Sequence, residues 1–176
     1  MAAAHGSPPV PVTATGTTQC NLNGNLQVTD LGALGFMANM TPGHHAPACS
    51  NTGGSKLRTG HLRNAVSSDS WTDLCPLVSG GAVSDLTGGT ISWAPAKKVA
   101  ASTGVSLTGG SVSVVTATNG DQYLQLAYSG SVDAGSFAGG VSLTATSTAD
   151  VAKLTADCAA GPVTGIHLKG SVTLGQ

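Results

Sequence analysis

The sequence has little charge and few aromatic residues. Of its 176 residues only 9% are charged, glutamate is absent, and the formal net charge is -1. A nucleic-acid partner would need a basic stripe, and an anionic membrane surface would need a polybasic segment. Aromatic residues make up 3%, too few for a lectin that stacks sugars or for an aromatic ligand cage. The composition therefore argues against binding of nucleic acid, of an anionic membrane, of sugars by aromatic stacking, and of a ligand in an aromatic cage.

Signatures of catalysis and of membrane insertion are also missing. The chain has no Gly-x-Ser-x-Gly motif, and the spacing of its eight acidic residues pairs no two carboxylates across a cleft. The longest apolar run, residues 31–40, is broken by Gly32, Gly35 and Asn39, so no transmembrane segment is predicted. Residues 1–4, Met-Ala-Ala-Ala, look like a start methionine on a mature N-terminus or the tail of a removed signal. No cofactor is indicated, and the sequence favours a non-enzymatic role.

The four cysteines predict two disulfide bonds. Cys20, Cys49, Cys75 and Cys158 are widely spaced without a Cys-x-x-Cys pair, which argues against zinc-ribbon or thioredoxin chemistry. Among the pairings that four cysteines allow, Cys20–Cys49 with Cys75–Cys158 is favoured. The first would close the loop-rich N-terminal third, and the second would tie the middle of the chain to its predicted helix. Disulfides indicate an oxidising compartment, hence a secreted, extracellular protein.

Alternation of apolar and small polar residues predicts an all-β fold. Through residues 103–145, rows such as Leu124, Leu126 and Tyr128 alternate with Ser, Thr, Gln and Gly, the period of a strand with one buried face. Asn119-Gly120 between two such runs predicts a hairpin with a type I′ turn. Along the whole chain the pattern gives about eight to ten antiparallel strands, arranged as a β-sandwich or a closed β-barrel.

The chain is predicted to hold one domain after a short arm. Three prolines make residues 1–16 an extended or disordered arm, and residues 17–176 form a single β domain. Residues 32–55 are predicted to be a long irregular segment. One short helix is predicted near residues 147–158, with Ser147 opening a capping box.

The histidines are the candidate metal ligands. His44 and His45 lie in the predicted irregular segment and His61 on a strand nearby, so convergence of imidazoles would make a copper or zinc site. Adjacent histidines in a loop do not point the same way without help, and exposed loop residues are the alternative interpretation. A mature chain beginning at His5 would offer copper an amine and an imidazole, which resembles copper-dependent polysaccharide monooxygenases. The Pro-x-Ser-Arg sequel of those enzymes is missing, and the chain as given begins at Met1.

Five short motifs are spread along the chain: Cys20-Asn21-Leu22-Asn23-Gly24-Asn25-Leu26, Cys75-Pro76-Leu77, Gly89-Thr90-Ile91-Ser92-Trp93, Gly135-Ser136-Phe137-Ala138-Gly139-Gly140 and Gly170-Ser171-Val172-Thr173-Leu174. Together they resemble a group of small exported β-rich proteins that are common in actinobacteria. The resemblance spans most of the chain. It implies the fold and export, and it implies no activity and no site residue.

The expected function is that of an exported structural or binding module at the cell surface or outside the cell. Low-charge sheets faced with Ser, Thr and Gly suit packing against copies of themselves through sheet edges, or against a polymer. The expected partners are therefore a homo-oligomer or a cell-wall or surface polymer, and no nucleic acid. One alternative is a barrel-like carrier of an apolar small molecule. The second alternative is a copper or zinc enzyme that uses the histidines.

Overall fold

The computed structural model describes residues 16–42, 48–51, 57–95 and 101–175. In these ranges the chain forms nine strands and two short helices, which confirms the all-β class. The strands are β1 (Thr18–Val28), β2 (Ala33–Met40), β3 (Cys49–Asn51), β4 (Leu57–Ser70), β5 (Leu86–Pro95), β6 (Ala101–Thr116), β7 (Gln122–Gly135), β8 (Gly140–Asp150) and β9 (Gly165–Leu174). The helices are α1 (Cys75–Val78) and α2 (Val151–Ala160). Except for Gly16, the predicted N-terminal arm lies outside the described residues.

Eight of the strands close into an antiparallel barrel. They follow the order β1, β2, β4, β5, β6, β7, β8 and β9, and β9 returns to pair with β1. That closing ladder runs over ten residue pairs, from Thr18 opposite Leu174 to Gln27 opposite Gly165. Each barrel strand thus has a hydrogen-bonded neighbour on both sides. Of the two predicted architectures, the closed barrel is confirmed.

β3, the strand that is not part of the barrel, continues the line of β2. β1 pairs with β2 from Asn23 onward, where Asn23 lies opposite Asn39, and with β3 at its start, where Cys20 lies opposite Cys49. Both partners run antiparallel to β1, so they share one line along it. The prediction of an irregular segment over residues 32–55 is therefore wrong for β2 and β3. The glycines and Thr41-Pro42 suggested a loop, but a period of two buries Leu34, Phe36, Ala38 and Met40 inside the barrel.

Side chains, rather than a cavity, fill the barrel where it is described. β1 buries Thr18, Cys20, Leu22 and Leu26 on one face, and β8 and β9 follow the same alternation. Deep in the core Trp93 meets Phe137 edge to face, with ring centroids 5.8 Å apart, and its indole N–H donates to Thr103 Oγ1 at 2.9 Å. Trp93 is therefore a core residue.

The helix α1 covers one end of the barrel, which we call the helix end. The strand directions bring the β1–β2 turn, α1, the β6–β7 hairpin and α2 to this same end. Leu74 and Leu77 are fully buried here, and the Leu74 amide donates to Val163 O at 2.7 Å. Beneath Leu77 the apolar cavity lined by Leu26, Leu124 and their neighbours measures about 10 Å³. That volume is enough for one water molecule at most.

The predicted helix near residues 147–158 forms as α2 but begins four residues later. Its N-cap is Asp150, whose carboxylate accepts from the Lys153 amide at 2.7 Å. Ser147 instead lies on a buried position of β8, where its hydroxyl accepts from the Leu124 amide at 3.0 Å. Pairing with β7 extends β8 past Ser147, as far as Asp150 opposite Tyr123, and so displaces the predicted cap.

The predicted hairpin joins β6 to β7, with Thr116 opposite Gln122. Its type I′ turn is wrong, because Gly120 has a φ of 90° while Asn119 does not adopt a positive φ. The Gly120 amide donates to Ala117 O and the Ala117 amide to Asp121 O, which defines a three-residue loop. Asn119 Oδ1 accepts from the Asp121 amide at 2.9 Å, a local bond that keeps Asn119 out of the left-handed region.

Candidate functional site

The four cysteines form two disulfides that hold structural elements together. Cys20 bonds to Cys49 between β1 and β3, and both residues are buried. Cys75 bonds to Cys158 between α1 and α2, and both are half-buried. These are the pairings that the sequence analysis favoured. Their positions give them a role in tying the chain, and no reactive thiol is left free.

The candidate metal ligands are only partly within the described residues. His5, His44 and His45 lie outside them, so a site that uses these three stays a prediction. His61 lies on the outer face of β4, exposed, with its Nδ1 2.8 Å from Asn39 Oδ1. Within the ranges that the structure describes, no group of three or more His, Cys, Asp or Glu side chains is arranged to hold a metal ion.

A polar network ties β4, the segment between α1 and β5, and β7 together at the helix end. The Asp69 carboxylate accepts from Trp71 Nε1 at 3.0 Å and from Ser84 Oγ at 2.7 Å. The buried Tyr128 hydroxyl donates to Ser84 O at 2.5 Å. The two described histidines, His61 and His167, bond to other residues of the barrel wall, so no imidazole lies between Ser84 and Asp69. The arrangement joins strands and offers no activated nucleophile.

The network also shifts the titration of two of its members. Hydrogen bonds from Ser84 and then from Ser67 lower the pKa of Asp69 below its ordinary value of 3.8. Burial, followed by the charges of Asp85 and Asp69, raises the pKa of Tyr128 far above its ordinary value. Both shifts follow from the structural contacts just described, so neither requires a catalytic role.

A row of carboxamides occupies the outer face of β1. We call it the carboxamide strip: Gln19, Asn21, Asn23, Asn25 and Gln27. The first four are exposed, and their side chains form no hydrogen bond with any described residue. Gln27 is half-buried, and its Nε2 donates to Met37 Sδ at 3.2 Å. Since a strand advances by about 3.4 Å per residue, the strip is about 27 Å long, with its side chains about 6.8 Å apart.

Hydroxyls and further polar groups flank the strip on both neighbouring strands. On β9, Thr173, Ser171, Lys169 and His167 lie opposite Gln19, Asn21, Asn23 and Asn25, in that order. On β2, Asn39 lies opposite Asn23. Further hydroxyls lie on β8, where Ser142 is opposite Thr173 and Thr144 is opposite Ser171. Carboxamides and hydroxyls both donate and accept hydrogen bonds, so this outer face can bind groups that do the same.

The strip was visible in the sequence but was not singled out there. Residues 21–28 read Asn-Leu-Asn-Gly-Asn-Leu-Gln-Val, and the apolar half of that alternation was used to predict a strand. The other half is the signal: a carboxamide at every second position from Gln19 to Gln27. What the sequence does not show is that β9 lies beside it, because the two strands are far apart in the chain.

Comparison with protein-family models, with curated proteins and with solved structures found no match to this chain. The resemblance to exported actinobacterial proteins therefore stays a prediction. In the described ranges no helix is long and apolar enough to cross a membrane. Function has to be argued from the geometry of the barrel.

Proposed function

We propose that this protein is an exported module that binds a polyhydroxylated polymer outside the cell, such as a polysaccharide of the cell wall or surface. The observation that carries the proposal is the carboxamide strip: five side chains in a row, four of them exposed and without a partner in the described chain. A row about 27 Å long on a convex wall suits an extended chain better than a small molecule, which would need a concave pocket.

The residue types in the strip support a role in binding. Asn is depleted in β-strands because it competes for backbone hydrogen bonds and packs poorly on a pleated surface. Asn21, Asn23 and Asn25 nevertheless take alternate positions of one barrel strand. Thr would keep these positions polar and suit a strand better. Folding and solubility therefore do not account for three carboxamides here, whereas hydrogen bonding to an external ligand does.

The strip has no aromatic ring on which a sugar could stack, so the strip itself binds through hydrogen bonds. Each bond is worth about 0.5–1.5 kcal/mol net, so a short oligomer that makes three or four is expected to bind with a Kd of about millimolar or weaker. A longer polymer binds more tightly, because several of its repeats contact one strip, or several protein molecules, at the same time. Weak binding to oligomers and stronger retention on polymers is the expected behaviour.

Three features bear on the choice among the functions that the sequence left open. The two disulfides support export to an oxidising compartment. Self-assembly through sheet edges needs an unpaired strand, but the barrel strands are paired on both sides and β3 has only three residues. For an apolar-ligand carrier, the cavity beneath Leu77 is far too small. The polymer-binding module is thus the function that the described geometry favours.

Affinity electrophoresis through gels that contain single soluble polysaccharides tests the proposal, together with pull-down on insoluble wall polymers. The test variant is Asn21→Thr/Asn23→Thr/Asn25→Thr, which removes the carboxamides and suits a strand. The control is Ser111→Ala/Ser113→Ala on the outer face of β6, on the opposite side of the barrel from β1. We expect at least one polymer to retard the wild type and the control but not the strip variant. Equal retardation of all three proteins, or of none by any polymer, would overturn the proposal.

A further inference from the structure

We infer that the polymer carries carboxylate groups, as a uronate-containing polysaccharide does. The inference rests on the proposed function, because it names the class of polymer that the carboxamide strip and its flanks would take. It is carried by two cations, Arg63 and Lys169, which lie on either side of the strip and have no acidic partner among the described residues.

The guanidinium group of Arg63 is held in place by neutral acceptors. Its Nη1 donates to Leu62 O at 2.8 Å and to Ala38 O at 3.2 Å, and its Nη2 donates to Asn39 Oδ1 at 3.1 Å. These bonds use three of the five N–H groups and leave two for an external acceptor. Because carbonyl and amide oxygens carry no net charge, the positive charge of Arg63 stays uncompensated.

Lys169 provides the second charge, on the opposite side of the strip. It is exposed on β9, directly beside Asn23 of the strip. Asn23 in turn lies opposite Asn39, which accepts from Arg63. Strands lie about 4.8 Å apart, so from β9 to β4 the two charges are separated by about 14 Å around the wall, with the strip between them. A polymer that follows the strip passes both cations.

No aspartate side chain neutralises this part of the wall in the described ranges. All eight aspartates are among the described residues, and the one ion pair formed in the described ranges joins Lys153 to Asp157 on α2. β1, β2, β3 and β9 contain no aspartate. Seven aspartates lie at the helix end: Asp30, Asp69, Asp73, Asp85, Asp121, Asp150 and Asp157. The eighth, Asp133, accepts from Ser106 and Ser131 near the opposite end of β7.

This segregation gives a nearly neutral chain a wall that attracts anions and an end that repels them. An open groove of about 160 Å³ lies between the strip and Arg63, lined by Gln27, Met37, Arg63 and Val66 among others. A groove of this kind admits a side group of a polymer beside the guanidinium. The planar guanidinium fork matches a carboxylate, so the geometry points to a carboxylated chain whose backbone hydroxyls contact the strip.

Polygalacturonate and its fully methyl-esterified form provide a matched pair of probes, since they differ in charge and share a backbone. Binding of the full-length oxidised protein is measured at low and high NaCl. We expect the wild type to prefer polygalacturonate at low salt and to lose that preference at high salt. Lys169→Gln is expected to raise the Kd for polygalacturonate about threefold to fivefold, the range for one exposed charge pair. Lys153→Gln, the same charge change on α2, is the control and should leave the Kd unchanged.

A gain-of-charge variant removes the ambiguity of a loss caused by misfolding. Ser171→Lys adds a cation beside Asn21 on the outer face of β9 and should tighten polygalacturonate binding about threefold. Equal binding of both probes, with no effect of Lys169→Gln, would overturn this inference and leave the polymer-binding function standing. If the protein binds neither probe and no other polymer, both this inference and the polymer-binding function are overturned. Equally tight binding of dextran sulfate would show that the wall reads charge alone, which overturns the carboxylate assignment.

Discussion

Gly170 on β9 is a residue for which the barrel has no room for a side chain. It lies opposite Leu22 on β1 and Ala145 on β8. A Cβ atom built on Gly170 would overlap Thr144 O and would come within 2.6 Å of Ala145 Cα. Both obstacles are backbone atoms of a paired strand, so neither can move aside without breaking the β8–β9 ladder.

We therefore expect Gly170→Ala to lower the free energy of unfolding by about 1–3 kcal/mol, the usual cost of overpacking. Urea denaturation followed by circular dichroism measures it. Gly165→Ala at the start of the same strand is the matched control, because its nearest neighbour, Leu26 O, lies 4.0 Å from the added Cβ. Equal stability of the two variants would show that β9 does not pack as described.

The lowered pKa of Asp69 predicts how the stability of the protein changes in acid. Its pKa is lowered in the folded state, chiefly by the Ser84 hydroxyl, so folding favours the ionised carboxylate. The resulting stabilisation is fully present above the ordinary value of 3.8 and is lost as the pH falls through the lower, folded-state pKa. Asn at this position keeps one oxygen acceptor but carries no proton-linked charge.

We expect the urea midpoint of the wild type to fall more steeply below pH 4 than that of Asp69→Asn, for the linkage reason just given. Asp30→Asn serves as control, since the Asp30 side chain forms no hydrogen bond with the described residues. Identical acid limbs for wild type and Asp69→Asn would contradict the role assigned to the Ser84–Asp69 bond.

Among the structural elements, α1 depends most on tertiary contacts. A four-residue helix is too short to be stable alone, and it is held by burial of Leu77, by the Leu74–Val163 hydrogen bond and by the Cys75–Cys158 disulfide. The one helix predicted from the sequence lies near residues 147–158. No local pattern marks α1, because its stability comes from parts of the chain more than 80 residues away.

Loss of the Cys75–Cys158 disulfide should loosen α1 and destabilise the protein. We expect Cys75→Ala/Cys158→Ala to lower the free energy of unfolding by about 2–4 kcal/mol, since the bond closes a long loop in the unfolded chain. Hydrogen exchange should rise first at the amides of α1. Thr155→Ala, an exposed change on α2, is the control. Unchanged exchange in α1 would mean that Leu77 and the Leu74 amide hold this helix without the disulfide.

At the scale of the whole molecule, closure of the sheet determines how the protein meets other copies of itself. An open sandwich has edge strands that can pair with another chain, whereas a closed barrel leaves none of its strands unpaired. In the described structure β9 and β1 complete that closure over ten residue pairs. The homo-oligomer expected from the sequence depended on sheet edges, so closure removes its main structural argument.

We expect the oxidised protein to be monomeric, because the eight barrel strands of the described structure are paired on both sides and offer no edge for strand addition. Size-exclusion chromatography with light scattering, followed by native mass spectrometry of the same peak, measures this directly. A discrete oligomer or a filament would contradict the expectation and favour the structural role. Extra mass from a bound lipid would instead favour the apolar-ligand carrier.

The amino-acid sequence by itself determined the all-β class, the hairpin at Gly120, a helix close to α2 and the alternation that exposes the carboxamides of β1. All of these are local, because a period of two or a turn residue acts on neighbouring positions. The tertiary structure alone decided that the sheet closes, that α1 covers one end, and that Lys169 lies beside Asn23. Periodicity says which face of a strand is buried but not which strand lies beside it. That choice depends on hydrogen-bond register and closure summed over the whole sheet.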